Sequence, residues 1–485
     1  MTAIDLSKYQ SYRGLPPLAG LCSVADAARP GMAVEECVRR LKRFHYALVR
    51  LREAFTARIT AEPAYELKTA FSHHAHLCAE HAAALRTRVG EMREPPLGLE
   101  EVPHPALEAF FDEVLASLST EELLAGLYGV ALPALDAAME KYQADTNPLC
   151  DAPSLRVLRF ARLEVGDMIA FGKKAMECLP WDTPGVPGEC AAGADAPGSP
   201  GMGALRAFLD AAGGMDGTGP TGEAPPRRHP PYVYDPVPRR DERWRDLYNQ
   251  GVNAEAFLYD ESQPARAKAL MMLFKRLREV DVPEMMASIL HETRGKPAEY
   301  YREMTRQLWD EARHAMMGEV GFASLGVDWT QARITHNWSL RLNTECTAME
   351  RHAVLFFIEQ GLMTKTGKRY EWEVGGESGL PLVKTIQDFD WADEVLHAQI
   401  GRRWYIPQFA NLTEALAYGD QCWSRILSNW RSVLEQGLTR HESWWPAIYT
   451  QACRAWGVEP DPRALAYSTT YEGQRADLQS VGASG

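Results

Sequence analysis

No two cysteines in this chain fall in a CxxC spacing, and the nine present are scattered, with Cys178 and Cys190 the nearest pair. That pattern argues against a disulfide framework or a cysteine-ligated metal, and a reduced, cytoplasmic protein is expected. Basic residues are in deficit: 52 Lys and Arg stand against 65 Asp and Glu, a formal net charge of -13. A surface of that sign opposes nucleic-acid phosphate and gives no attraction to anionic membranes, so neither is expected as a partner. No run approaches the ~18 uninterrupted apolar residues of a membrane span. Met1–Tyr12 lacks the basic-then-apolar order of a secretory signal. Strand-period alternation is nearly missing, its one candidate being a hairpin near Arg369–Val374.

Helical periodicity fills the space those absences leave, so the expected fold class is all-α. The length of 485 residues suggests two to four domains, and composition marks three regions. In 1–178, apolar residues recur at three and four over Val34–Ala57, Tyr65–Met92, Glu121–Tyr142 and Ser154–Met176. Pro63, Pro95–Pro96 and Thr146–Asn147–Pro148 punctuate them, which predicts an antiparallel helical bundle. Residues 179–240 are rich in Pro and Gly and read as a linker with a short helical island at Ala204–Ala212. In 241–485 the helices return at Ala265–Thr293 (interrupted at Pro283), Ala298–Gly318, His336–Gln360, Leu382–Trp404, Leu412–Gln436 and Trp444–Trp456.

Two of these helices carry Asp-Glu-x-x-His: Asp310–Glu311–Ala–Arg–His314 and Asp393–Glu394–Val–Leu–His397. Residues three apart share a helix face, so each Glu/His pair can present a hard oxygen and a neutral imidazole nitrogen to one metal ion. With 41 Glu and 13 His, chance supplies about one Glu-x-x-His (41 × 13/485), so the bare motif is weak. A third copy, Glu101–Val–Pro–His104, has an internal proline that spoils a helical ligand pair. Requiring the preceding Asp lowers the expectation to roughly 0.05, yet both helical copies have it.

A dinuclear site in a four-helix bundle also needs a Glu from each of two further helices. Glu284 lies eleven residues before Gly295 and Glu350 eleven before Gly361. Pro297 and Pro381 then start the helices that carry Glu311 and Glu394, fourteen and thirteen residues on. Similar distances from a tight turn place residues at about one height, and eleven against thirteen or fourteen is a mismatch of under one turn, roughly 3–5 Å. The predicted ligands are therefore Glu284, Glu311, His314, Glu350, Glu394 and His397. Glu279 and Glu345 are rivals with a shared spacing of sixteen to the same glycines, and Glu359 is set aside as too near the turn. A ligating imidazole donates its other N–H to a carboxylate, so Asp310 is paired with His397 and Asp393 with His314. His291, two turns beyond Glu284, is an additional candidate ligand or proton relay.

These residues resemble the di-iron carboxylate branch of the ferritin-like superfamily. Asp-Glu-Ala-Arg-His314 is similar to the motif of bacterial multicomponent monooxygenase hydroxylases and ribonucleotide reductase small subunits. The longer run from Glu284–Met–Met–Ala to His314 resembles bacterial ferritin-like proteins more closely, over about 280–405. The resemblance implies a ferritin-like four-helix bundle in the C-terminal half, two iron ions or a manganese–iron pair, and oxygen or peroxide activation. It further implies a small-molecule substrate, O2 and an electron donor as partners. The radical-bearing Tyr of ribonucleotide reductase falls at Gly318 here, which speaks against nucleotide reduction and leaves room for a pocket or for packing. The alternative is a non-catalytic metal-binding or peroxide-protective protein. The N-terminal bundle, whose His73, His74, His76 and His81 have no helical Glu-x-x-His beside them, is expected to be metal-free and to supply a pocket wall or a homodimer surface. The Met pairs 271/272, 285/286 and 316/317 are expected in the core, with Met285 and Met317 the alternatives for pocket lining.

Overall fold

The computed structural model describes residues 5–92, 98–179, 200–249, 251–364, 367–427 and 430–470. Among them every regular element is helical, and the one β-contact is an isolated bridge between Ala212 and Thr221. The eight described cysteines are all free. The chain divides into two compact units, Met1–Phe55 with Leu77–Tyr234, and Thr56–His76 with Asp235–Gly485.

In the first unit and at its borders lie α1 (Val34–Arg58), α2 (Tyr65–Glu91), α3 (Pro105–Leu115), α4 (Leu132–Asp145), α5 (Ala152–Cys178) and α6 (Pro200–Ala211). Helix α3 uses His104 as its N-cap, the ring Nδ1 accepting the Ala106 N–H at 3.1 Å, so the third Glu-x-x-His copy ends as a cap. Thr120–Leu124, the π-helical Ala125–Ala131 and α4 form a run apolar enough to cross a membrane by length and composition, but 67% of its most apolar window is buried inside the protein. The linker expected over 179–240 is differently built. Its stretch 180–199 lies outside the described residues, whereas α6 packs on α3 through a buried Leu205–Phe208–Leu209 face. The buried Arg43 guanidinium donates to the carbonyls of Ala212 (2.9 Å), Gly214 (2.8 Å) and Met215 (3.1 Å), which fastens the following loop to the first unit.

The second unit contains α7 (Ala265–Arg278), α8 (Asp281–Glu292), α9 (Ala298–Ser324), α10 (Asn337–Glu345), α11 (Ala348–Leu362), α12 (Lys368–Glu377), α13 (Pro381–Trp404), α14 (Leu412–Leu427) and α15 (Trp445–Trp456). The interruption expected at Pro283 falls earlier, at Glu279–Val280, and Pro283 sits in the first turn of α8, where a missing N–H breaks no helical bond. The long run His336–Gln360 breaks at Cys346–Thr347 because Thr347 and Glu350 form a reciprocal capping box that starts α11. The hairpin expected near Arg369–Val374 is helix α12. Lys368, Glu371, Val374 and Gly375 are buried, and their spacing of three to four gathers them on one helical face.

Helix α8 packs on α9 and α11, and α13 packs on the same two; α7 lies along α9, and α12 packs on α7 and α13. Trp444 and Trp445 dock α15 into the main core, beside Phe274 and Phe257 respectively. Gly318 is a packing residue: a Cβ there would stand 2.3 Å from the Leu277 backbone N and 2.7 Å from the Leu273 carbonyl O. Gly318→Ala is therefore expected to push α7 off α9 and cost about 1–3 kcal/mol, read as a lowered midpoint in thermal unfolding. An unchanged midpoint would mean that the two helices do not approach this closely.

Candidate metal centre

Glu311 and His314 on α9, and Glu394 and His397 on α13, sit one turn apart on the faces that meet inside the second unit. All four are at most 2% exposed, and the two imidazole centroids are 5.8 Å apart. Two clusters of potential ligand atoms result, Glu279–His314–Glu394 and Glu311–Glu359–His397, with the atoms of each lying within 4.8 Å of one another. The motif pairs therefore cross over: each contributes its Glu to one cluster and its His to the other. Glu311 reaches both imidazoles, its Oε1 3.1 Å from His397 Nδ1 and its Oε2 3.7 Å from His314 Nδ1.

The far nitrogens of the rings are occupied. His314 Nε2 lies 3.2 Å from Asp393 Oδ2 and His397 Nε2 lies 3.4 Å from Asp310 Oδ2. Arg306 and Arg313 hold these aspartates, Arg306 Nε at 2.8 Å from Asp310 Oδ2 and Arg313 in contact with Asp393. With Nε2 spoken for, Nδ1 is the nitrogen each ring turns inward. Both Nδ1 atoms are buried without a hydrogen bond, as are Glu279 Oε2, Glu311 Oε1, Glu359 Oε2 and Glu394 Oε2. Four of these atoms face one another as ion pairs, His314 Nδ1 3.2 Å from Glu279 Oε2 and His397 Nδ1 3.1 Å from Glu311 Oε1, and six ligand atoms turned onto one buried spot are a costly arrangement without cations among them. Two imidazoles and four carboxylates are the donor set that iron and manganese accept, so the residues fit a pair of such ions.

The acid groups respond unequally to this crowding. Burial works to raise Glu279, but Arg276 and His314 hold it at about 2. Burial likewise opposes ionisation of Glu394, which Lys368, Glu359 and His397 keep well below the ordinary range. Glu359 goes the other way, pushed well above it by burial and by the facing Glu394 and Glu311. Burial would depress His314, yet Asp393, Glu279 and Glu311 raise it to about 10.

Two predicted ligands are elsewhere. Glu284 is fully buried but accepts from Lys68 Nζ at 2.7 Å, from Arg240 Nη2 at 3.0 Å and from the Ser339 hydroxyl at 2.8 Å. Glu350 belongs to the capping box, its Oε2 taking the Thr347 N–H at 2.8 Å and its Oε1 taking Arg425 Nη2 at 2.9 Å. His291 lies in the last turn of α8, outside both clusters, and burial and Arg294 lower it to about 4. In their place stand Glu279, the rival at the longer spacing, and Glu359, the residue nearer the turn. Helix α8 ends at Glu292 and α9 begins at Ala298, so Glu279 and Glu311 each lie thirteen residues from the connection (292 − 279 and 311 − 298) and share a height.

The chain matches no family model, no curated protein and no solved structure. What can be said of its chemistry rests on this geometry. Glu279, Glu311, Glu359 and Glu394 form part of the wall of a cavity of about 100 Å³, whose other sides are mainly apolar: Val282, Met285, Leu342, Val354, Ile358 and Trp423 among them. Met285 is thus a lining residue, while Met317 packs against the main core. Of the N-terminal histidines, His81 Nε2 pairs with Glu164 at 2.6 Å and His73 stacks on Trp309 at 4.2 Å.

Proposed function

We propose that helices α8, α9, α11 and α13 form a ferritin-like four-helix bundle whose centre binds two iron ions, or a manganese–iron pair, and uses O2 to oxidise a small organic substrate. The observation that carries this reading is the set of six buried ligand atoms turned onto one spot and arranged as two mirrored Glu–Glu–His clusters. Such a pair, when bound, supplies the electrons and open coordination positions that O2 reduction requires.

The chain's own residues would prepare the site in three ways. Asp310 and Asp393 fix the imidazole tautomers and keep Nδ1 free. Glu311, in reach of both imidazoles, would serve both positions. The apolar walls of Val282, Met285, Leu342 and Ile358 exclude water and hold an apolar substrate group against the carboxylate end of the cavity.

Anaerobic loading of the full chain with Fe(II), followed by stopped-flow mixing with O2, tests the proposal. A transient visible band that decays with turnover is expected. Slow ferroxidation with release of ferric ion would favour a protective metal-binding role instead. Failure to take up iron or manganese at all would end the dinuclear reading.

A further inference from the structure

We infer that the two metal positions are unequal, and that the Glu311–Glu359–His397 position fills first and holds its ion at least tenfold more tightly than Glu279–His314–Glu394. The inference rests on the six residues binding two ions, and it goes beyond that by ranking them. Its basis is what stands behind the ligands.

In the Glu279–His314–Glu394 cluster, both carboxylates already have a fully buried cation on the oxygen that faces away. Arg276 Nη2 donates to Glu279 Oε1 at 2.8 Å, and Lys368 Nζ sits 2.9 Å from Glu394 Oε1. Arg276 also approaches that Glu394 oxygen at 3.9 Å. Both cations are about 1% exposed or less, so water screens neither. They are locked in place by Asp390, which Lys368 contacts through both oxygens at 2.9 and 3.0 Å, which Arg276 also contacts, and whose Oδ1 lies 3.7 Å from His314 Nδ1. Behind them Glu371 pairs with Lys275 and lies 4.0 Å from Arg276. This buried layer contains three cations, Arg276, Lys275 and Lys368, against Asp390 and Glu371.

The other cluster is backed differently. The outer oxygen of Glu359 accepts from the neutral Gln307 amide at 3.1 Å. Asp310 and Asp393, with Arg306 and Arg313, sit behind the two imidazoles alike and do not separate the positions.

Two consequences follow. A fixed cation one carboxylate away repels a divalent ion and draws electron density from the ligand between them. It also occupies the second oxygen, so Glu279 and Glu394 offer a single oxygen each, whereas Glu359 can turn both toward its ion once it gives up its proton and the Gln307 amide. Both effects weaken the same position.

The test is a titration of metal-free, full-length protein with Mn²⁺, followed by calorimetry and electron paramagnetic resonance. Two steps separated by at least tenfold in Kd, or about 1.4 kcal/mol, are expected. The first equivalent should give an uncoupled Mn²⁺ signal, and spin coupling should grow only with the second. Glu359→Gln should remove the tight step and leave the weak one. Lys368→Gln should tighten the weak step severalfold, while Lys368→Arg keeps the gap. Two equal steps in the unaltered protein, or loss of the weak step in Glu359→Gln, would overturn the ranking while leaving the dinuclear reading intact. No Mn²⁺ binding would overturn both. The unaltered protein and Glu359→Gln decide the matter even where Lys368→Gln does not fold.

Discussion

Glu311→Ala is expected to weaken metal binding by at least 100-fold at both positions, so that protein purified from metal-supplemented medium carries well under one ion per chain. Glu311 presents one oxygen to each imidazole, at 3.1 Å from His397 Nδ1 and 3.7 Å from His314 Nδ1, and stands between the clusters as Glu394 does, whose Oε2 is 3.5 Å from His397 Nδ1. Outer partners of ligands alone typically change affinity by about 10–100-fold, and a ligand that serves both positions should exceed that. Thermal stability of the metal-free protein should fall, because the substitution takes a facing carboxylate from two buried imidazoles and leaves a cavity. Glu350→Ala is the matched control: it should leave metal content untouched and weaken only the start of α11, by about 1 kcal/mol for the lost cap. Elemental analysis of the two variants beside the parent protein reads both outcomes. Equal metal in parent and Glu311→Ala, or metal lost in Glu350→Ala, would remove the assignment of these clusters.

The contrast between Glu311 and Glu350 also shows what the amino-acid sequence makes legible. The doubled Asp-Glu-x-x-His stands out because a helix turns residues three apart to one side, and that geometry is local. The remaining two carboxylates depend on how hairpins close, which is not local. Counting back from Gly361 treats it as a tight turn, but the chain passes through α12 before Pro381 starts α13, so heights measured from that glycine do not carry across. Counting from Gly295 already favours Glu279, which like Glu311 lies sixteen residues from it.

Other sequence signals do point to these roles. Thr347-x-x-Glu350 is a capping-box pattern, which assigns Glu350 a structural role without any coordinates. Glu359 interrupts an apolar run, Val354–Leu–Phe–Phe–Ile358, and a charge in such a run has to be paid for by a partner or an ion. Lys368 and Arg276 carried no readable sign at all. Their meaning comes from Asp390 and from α12, which strand-like alternation in Arg369–Val374 had disguised as a hairpin.

Glu284→Gln should be the most destabilising of the substitutions considered, while leaving the metal content unchanged. Glu284 is completely buried, and two cations depend on it: Lys68, 2.7 Å away, and Arg240, 3.0 Å away, which are 3% and 1% exposed. A neutral amide of the same shape strands Lys68 and leaves Arg240 with Asp281 as its one remaining carboxylate partner among the described residues. Breaking a buried pair in this way costs about 3–5 kcal/mol, which in a chain of this size lowers the melting midpoint by roughly 6–15 °C. The pH dependence gives a second signature. Burial alone would raise the Glu284 pKa, but Arg240 and Lys68 hold it at about 2, against an ordinary 4.5. A group depressed in the folded state contributes stability that is complete above its unfolded pKa and is lost as pH falls toward the folded one. The difference in stability between parent and variant should therefore shrink as pH falls from about 4.5 toward 2, apart from a separate dependence near neutrality from Asp281, which burial pushes up to about 7 and which shares Arg240. Denaturant unfolding at pH 7, 4 and 3, with metal analysis at pH 7, separates the two roles open to this carboxylate. Loss of metal without loss of stability would return Glu284 to the ligand set; loss of stability alone identifies it as the anion that holds Lys68 and Arg240 in the core.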